Sequence, residues 1–416
     1  MNVSRFGKKI AVQSGIGQLM DDLGAAASSG QAVLMLGGGN PSHIPAVEQE
    51  FRRRMAAMLA DGGRFGRTVG NYDPPQGNSE FVGAISGLLA RQFGWRIGPR
   101  NIAVTHGSQS AFFILFNLFA GDFEDRTRKR VLLPLIPEYI GYADVGLSHD
   151  LFTAGRPQIE HVDEHTFKYH VDFDGLRIGD DIGEICVSRP TNPTGNVLTN
   201  CELEKLSALA RTRNIPLIID NAYGVPFPNI VFTDAQPHWD ENTIVCMSLS
   251  KLGLPGVRTG IVIAREEIIE MVARANAVMS LAPGGVGTAL VTDMIRSGEI
   301  IHMSRDVIRP FYQRKMQDAV AQVHKCFEGI DYRIHKPEGA FFLWLWFPNL
   351  PITSRQLYER LKLRNVFVIP GHHSFPGLAE PWPHTNECLR VSYAQDPKVV
   401  AAGIQAIADE VRLAQR

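Results

Sequence analysis

Between about residues 100 and 265 the chain alternates short apolar runs with stretches of helical periodicity. The runs are NIAVTH, RVLLPLI, GEICVSRP, IPLIID, TIVCMSL and GIVIA. Strands that alternate with helices build an open, mostly parallel sheet covered on both faces, so the expected class is α/β. Thr199 and Glu202 form a T-x-x-E capping box ahead of LEKLSALA, which marks one helix start. The last hundred residues change character. GAFFLWLWF, NVFVIPG and CLRVSYA read as strands, and DPKVVAAGIQAIADEV reads as a final helix with Asp396 and Pro397 at its start. These predict a smaller α+β domain completed by the N-terminal segment. At 416 residues, the expected division is residues 1–48 as an N-terminal arm and part of the small domain, 49–305 as the large domain, and 306–416 as the C-terminal small domain.

Ligands of an open α/β sheet gather at the carboxyl ends of its strands, so the residues there carry the functional reading. NIAVTH ends in GSQSAFFILF, where a small-residue turn opens an apolar helix. Its free amides and dipole make an anion site to which Ser108 and Gln109 can add donors, unless Ser108 is simply a helix cap. Tyr139 and Tyr142 follow RVLLPLI, and either ring can stack on a planar ligand or pack in the core. Asn192 lies in the N-P-T-G turn after GEICVSRP, a sequence that turn chemistry alone also explains. Asp220 ends the apolar strand IPLIID, three residues before Tyr223, and a carboxylate buried there needs a cationic partner. SLSKLGLPGVRTG then places Ser248, Lys251 and Arg258 between two apolar strands. Burial there would depress the lysine pKa and make the amine a nucleophile, although a loop lysine in solvent is the commoner case. Arg390 sits inside the strand CLRVSYA, either snorkelling from an edge or fixed as an anchor for a carboxylate.

Composition narrows the partners. Lysine and arginine number 42 against 43 acidic residues, so no net field favours nucleic acid or an anionic membrane, and neither is expected as a partner. The longest apolar stretch, AFFILFNLFA, is about half a membrane span. Charged residues and glycines stand at the N-terminus where a secretory signal needs an apolar core, and the five scattered cysteines include no C-x-x-C pair. A reducing, cytoplasmic location without structural zinc is expected. His372 and His373 in PGHHSF are expected to point to different sides of the chain and are read as structural, with no metal site.

The order of these features resembles fold-type I pyridoxal phosphate enzymes of the aspartate aminotransferase family, from about residue 33 to the end. The likeness rests on GGGNPSHIP at 37–45, NYDPPQGN at 71–78, NPTG at 192–195, IIDNAYGVPF at 219–228, and SLSKLGLPGVRTG at 248–260. It implies a large domain with a mixed, mostly parallel sheet, a smaller α+β domain, and pyridoxal 5′-phosphate as cofactor. Lys251 would hold the cofactor covalently and then act as general acid and base. Asp220 would pair with the pyridine nitrogen, Asn192 and Tyr223 with the phenolic oxygen, and Tyr139 would stack on the ring. Ser108, Gln109, Ser248 and Arg258 would hold the phosphate, with Tyr72 donated by the second subunit of a homodimer. Arg258 follows Lys251 by seven residues, one fewer than in many relatives. Arg390, helped by a backbone amide of Gly39 or Asn40, would clamp the substrate carboxylate.

The implied reaction exchanges the amino group of valine with pyruvate by a ping-pong mechanism, with Ile16 in the N-terminal segment as an apolar wall for the side chain. Another neutral or aromatic amino acid, or lyase chemistry on the same fold, is the alternative. A nicotinamide dehydrogenase would need G-x-G-x-x-G between a strand and a helix, which GLGAAASSG and GGG do not supply. A transcription regulator with such a domain would need a DNA-binding module ahead of it.

Overall fold

The computed structural model describes residues 2–11, 17, 21, 24 and 33–416. Six apolar runs form the central sheet, in the spatial order Ile102–Thr105, Gly260–Ile263, Thr243–Ser248, Leu217–Asp220, Ile182–Ser188, Arg128–Leu133. The short strands Gly121–Asp122 and Phe152–Ala154 both pair with Arg128–Leu133, giving eight strands. Gly260–Ile263 is antiparallel to both neighbours, and the next three pairings along the sheet are parallel. The runs carry no polar alternation because both faces are covered. Ile102, Val104, Val245, Met247, Ile261 and Ile263 enter one core, whereas Ala103, Ile244, Cys246 and Val262 enter the other.

Helices supply those two layers. Ser79–Phe93 buries Phe81, Ile85 and Leu88 in the first core. Ser108–Phe119 buries Ala111, Phe112, Leu115 and Phe116 in the second. The helix Asn200–Thr212 begins at the expected capping box. Glu202 N donates to Thr199 Oγ1 at 3.1 Å, and Thr199 N donates to Glu202 Oε2 at 2.8 Å. The final helix, Pro397–Ala414, is capped by Asp396, whose carboxylate accepts from the Lys398 amide.

A second, six-stranded sheet runs Ile369–Pro370, Cys388–Ser392, Phe342–Trp346, Arg333–His335, Thr166–His170, Gln158–His161. Its last two strands come from the middle of the chain, inside a stretch expected to serve the larger domain. Thr166–His170 joins through parallel pairing with Arg333–His335. NVFVIPG does not form one strand. Ile369–Pro370 joins this sheet, whereas Val366–Phe367 pairs in parallel with Leu34–Met35 and so fastens the N-terminal segment to the C-terminal part.

A buried ion pair ties the two sheets together next to the N-P-T-G turn. Lys168 of the strand Thr166–His170 bonds Glu338, and its Nζ also donates to Asn196 Oδ1 at 2.9 Å and to the Val197 carbonyl at 3.0 Å. Removing one partner of a buried pair costs about 3–5 kcal/mol, and for Glu338 the more exposed Lys336, at 3.3 Å, offsets part of that. Lys168→Met should therefore lower the midpoint of urea unfolding sharply, and adding Glu338→Met should recover most of the loss. A single variant as stable as the parent would show that the pair does not hold this junction.

Candidate active site

Strand register brings the functional side chains to one end of the large sheet. Ser188 lies beside Asp220, while Ser248, Gly260 and Thr105 lie side by side on the next three strands. Over these carboxyl ends opens a cavity of about 230 Å³. Lys251, Asp220, Tyr223 and Asn192 line it, as do Ser108, Gln109, Ser248 and Arg258. Tyr139, Arg390 and Gly39 complete the expected residues present there. The remaining expectations fall elsewhere. Asn40 lines an adjoining cavity, which Lys251 also borders. Tyr72 is 83% exposed and does not reach the site within this chain. Ile16 lies outside the described residues.

Lys251 occupies the short 3₁₀ turn Ser250–Leu252, immediately beyond the strand Thr243–Ser248. Its Nζ donates to the Gly39 carbonyl at 2.6 Å and stands 5.5 Å from the Tyr223 and Phe341 ring centroids. Burial, aided by the positive charge of Arg390, pushes its pKa down to about 8, against a smaller upward pull from Asp220. Asp220 is 9% exposed and accepts from Tyr142 Oη at 2.7 Å and from the Ala222 amide at 3.0 Å. Burial raises its pKa, and among the described residues no basic side chain forms an ion pair with it. Tyr142 therefore has a different use from the stacking open to it: it is fully buried and holds Asp220.

Arg390 belongs to an interior strand, flanked by Phe342–Trp346 and Ile369–Pro370, so it cannot snorkel from an edge. It is 4% exposed. Its Nη1 donates to Asn192 Oδ1 at 2.7 Å, its Nη2 to the Gly37 carbonyl at 2.6 Å, and its guanidinium lies 4.3 Å from the Phe342 ring centroid. Nε is buried without a partner, and burial lowers the pKa to about 10. A guanidinium in this state lacks the carboxylate that would complete it.

At the other end of the cavity the helix Ser108–Phe119 presents its first amides. Gly107 is the residue before the helix, so Ser108 does not cap it and instead donates to the Met247 carbonyl at 3.2 Å. Gly107 has φ +82, and a side chain there would collide with the Arg258 guanidinium. Its lack of a Cβ lets Arg258 approach the helix terminus, where cation and amides together suit a phosphate. Arg258 is itself left-handed at φ +50. Gln109 has its side chain committed to the Gly141 carbonyl at 2.8 Å, which ties the helix to the turn carrying Tyr139. Ser248 Oγ accepts from the Ser250 amide at 3.0 Å and so shapes the turn before Lys251.

The cavity also includes Ser188, which sequence reasoning missed. Its Oγ and amide meet the buried carboxyl of Glu138, at 2.6 and 2.8 Å. The available signal was an acidic residue set between the apolar run RVLLPLI and Tyr139 in PEYIGY. His372 and His373 do not diverge. The 3₁₀ turn Gly371–Ser374 brings their ring centroids to 4.0 Å. No group of three or more potential metal ligands occurs among the described residues.

A buried carboxylate lacking an ion pair, a lysine amine of depressed pKa, an anion-binding helix terminus and a guanidinium together define a site for a phosphorylated pyridine aldehyde and an amino acid. Residues 33–407 match the family of class I and II aminotransferases, and the chain belongs to that family. Pyridoxal phosphate is its cofactor, and the donor set fits that group. Over 414 residues the chain is 52% identical to valine–pyruvate aminotransferase from Escherichia coli strain K12, covering 100% of this chain and 99% of that protein. The crystal structure of valine–pyruvate aminotransferase from Salmonella typhimurium LT2 superposes with a TM-score of 0.89 at 52% identity, covering 97% of this chain and all of that one. A solved structure from Psychrobacter arcticum 273-4 gives a TM-score of 0.97 at 46% identity, covering 100% and 99% of the two chains. The fold is that of fold-type I pyridoxal phosphate transferases.

Because Arg390 helps depress Lys251, Arg390→Met should raise the lysine pKa above its present value of about 8. Mass spectrometry of cofactor-free protein can follow Lys251 labelling by an amine-selective reagent as a function of pH. A midpoint that stays in place would contradict the coupling.

Proposed function

We propose that the chain exchanges the amino group of valine with pyruvate, yielding 3-methyl-2-oxobutanoate and alanine, as a cytoplasmic homodimer. The observation that carries the substrate reading is the 52% identity to a valine–pyruvate aminotransferase across the full chain. The cavity agrees with it. Arg390 offers one buried guanidinium for the single carboxylate common to these substrates, and the other cavity arginine, Arg258, lies at the helix terminus.

When bound, pyridoxal phosphate supplies an electrophilic aldehyde and a ring that accepts electrons. Lys251, with a pKa of about 8, is partly unprotonated at neutral pH. Its amine takes the proton from the substrate Cα and returns it as general acid. Asp220 would hold a proton on the ring nitrogen, which would give this buried carboxylate its ion-pair partner. Asn192 and Tyr223 would bond the phenolic oxygen, and Tyr139 would stack on the ring. Ser108, Gln109 through its backbone amide, Ser248 and Arg258 would hold the phosphate, and Arg390 with the Gly39–Asn40 backbone would orient the substrate carboxylate so that Cα faces the lysine. One set of residues serves both half-reactions, hence ping-pong kinetics.

A panel of amino donors against pyruvate and 2-oxoglutarate, scored by kcat/KM, tests the substrate assignment. Valine with pyruvate should rank first. Isoleucine, leucine and 2-aminobutyrate should follow within roughly 10- to 200-fold, since a methylene in an apolar pocket discriminates by only about 1–3 kcal/mol. Aspartate or glutamate as the best donor would overturn the valine reading while leaving the aminotransferase class intact.

The dimer is supported by an apolar face with no cover. Val69, Tyr72, Val278 and Leu281 are all more than half exposed, near the place where Thr68 and Asp73 meet Gly285. Five free cysteines suit a reducing cytoplasm, and no helix among the described residues is long and apolar enough to cross a membrane. In such a dimer Tyr72 would reach its partner's phosphate site. Mixing inactive Tyr72→Ala and Lys251→Ala proteins should then restore activity through hybrids holding one intact site. No recovery after demonstrated subunit exchange would rule out sharing.

A further inference from the structure

The mechanism uses Asp220 and leaves a second buried carboxyl, Glu138, without a role. Glu138 is 1% exposed, in the turn that follows the strand Arg128–Leu133. That strand, Ile182–Ser188 and Leu217–Asp220 are consecutive neighbours in the large sheet. Across their carboxyl ends runs an unbroken series of polar groups. Glu138 Oε2 lies 2.6 Å from Ser188 Oγ, Ser188 Oγ lies 3.2 Å from Tyr142 Oη, and Tyr142 Oη lies 2.7 Å from Asp220 Oδ2. Two carboxyls thus stand at the ends of a chain of two hydroxyls, with no basic side chain among the described residues hydrogen-bonded to any member.

We propose that Glu138 is a positioning residue for Asp220: it carries the proton of the pair and directs every hydroxyl along the chain toward Asp220. The inference rests on the reading that Asp220 meets the cofactor's ring nitrogen. The amides of Ser188 and Tyr139 donate to Glu138 Oε1 and Oε2 at 2.8 and 3.2 Å, so the polarity of the hydroxyl chain turns on whether the carboxyl carries a proton. A protonated Glu138 donates to Ser188 Oγ, which frees the serine hydrogen for Tyr142 Oη, whose own hydrogen goes to Asp220. An ionised Glu138 would instead turn the serine hydroxyl toward itself and set a second buried negative charge near Asp220, with no cation of its own.

The surroundings favour the first arrangement. Burial, with the charge of Asp220 adding to it, raises the Glu138 pKa to about 8 against the donors from Ser188 and Tyr139. The other ionisable groups around it are Tyr139, Tyr142 and Cys186, all pushed up by burial and so neutral. The Glu138 amide donates to the Ser374 carbonyl at 2.8 Å, and in that turn His372 and His373 are held neutral, with His372 pushed down to about 4. Asp220 has Lys251 beside it and so is the carboxyl that ionises.

Infrared spectroscopy and variant kinetics test the proposal. Glu184, fully buried with its pKa raised by burial, adds a carbonyl band of its own, so the reading is the difference between parent and variant. Cofactor-free protein at neutral pH should show a protonated-carboxyl band that Glu138→Gln removes from the spectrum while the Glu184 band stays. A parent-minus-variant spectrum without that band would overturn the assignment without touching the aminotransferase reading. In the holoenzyme, Glu138→Met and Ser188→Ala each break the chain. Each should lower kcat and cofactor affinity by about 10- to 100-fold, the scale of one hydrogen bond to a charged group, with KM little changed. Glu138→Gln, whose amide donates as the protonated acid does, should recover most of what Glu138→Met loses. If Glu138→Gln fell as far as Glu138→Met, or the Met and Ala losses multiplied in the double variant, Glu138 would not act through this chain.

Discussion

Arg390 is the interaction on which the arrangement of this chain turns. Its guanidinium reaches from the second strand of the six-stranded sheet to the Gly37 carbonyl of the N-terminal segment and to Asn192 above the large sheet. Three distant stretches of sequence therefore meet at one side chain. Burying a cation without a counter-charge costs several kcal/mol even after relaxation. Two hydrogen bonds to neutral acceptors and the face of Phe342 offset only part of that. The fold tolerates the remainder because an incoming carboxylate completes the pair, so substrate affinity here is charge compensation deferred from folding to binding.

The same logic governs the other buried charges. Asp220 is held by hydroxyl and amide donors against the pull of burial on its pKa, whereas Lys251 is held toward its neutral form by burial and by Arg390. Each group is thereby tuned for a ligand rather than for another side chain. Where stability alone is at stake, the chain pairs its charges directly, as Lys168 and Glu338 do. The contrast within a few residues of the N-P-T-G turn separates a structural ion pair from functional groups left uncompensated.

The sheet and most of the cavity were legible in the sequence because both follow from local pattern. Apolar runs buried on two faces announce themselves without reference to their neighbours, and a carboxylate closing such a run, as Asp220 does, conflicts visibly with its surroundings. Features that depend on distant pairing were not legible. Thr166–His170 looks like any half-buried strand, and nothing local says that it pairs with Arg333–His335. Glu138 and Ser188 are ordinary turn and strand residues until register sets them together. Tyr72 shows the opposite limit: the motif around it is readable, but its place in a site depends on a surface that one chain does not complete.

The antiparallel strand Gly260–Ile263 explains why SLSKLGLPGVRTG could be so short and still carry so much. A parallel connection would have to leave the carboxyl end of Thr243–Ser248 and return along the sheet to the opposite end, which takes a dozen or more residues and usually a helix. Reversal removes that journey. The chain leaves one strand and enters the next at the same edge, so Lys251 and Arg258 both remain over the carboxyl ends of the parallel strands. The reversed strand then pairs with Ile102–Thr105, whose own carboxyl end leads into Gly107 and the helix terminus. Amine and anion site are thus set side by side by one change of strand direction, although about 140 residues of chain separate them.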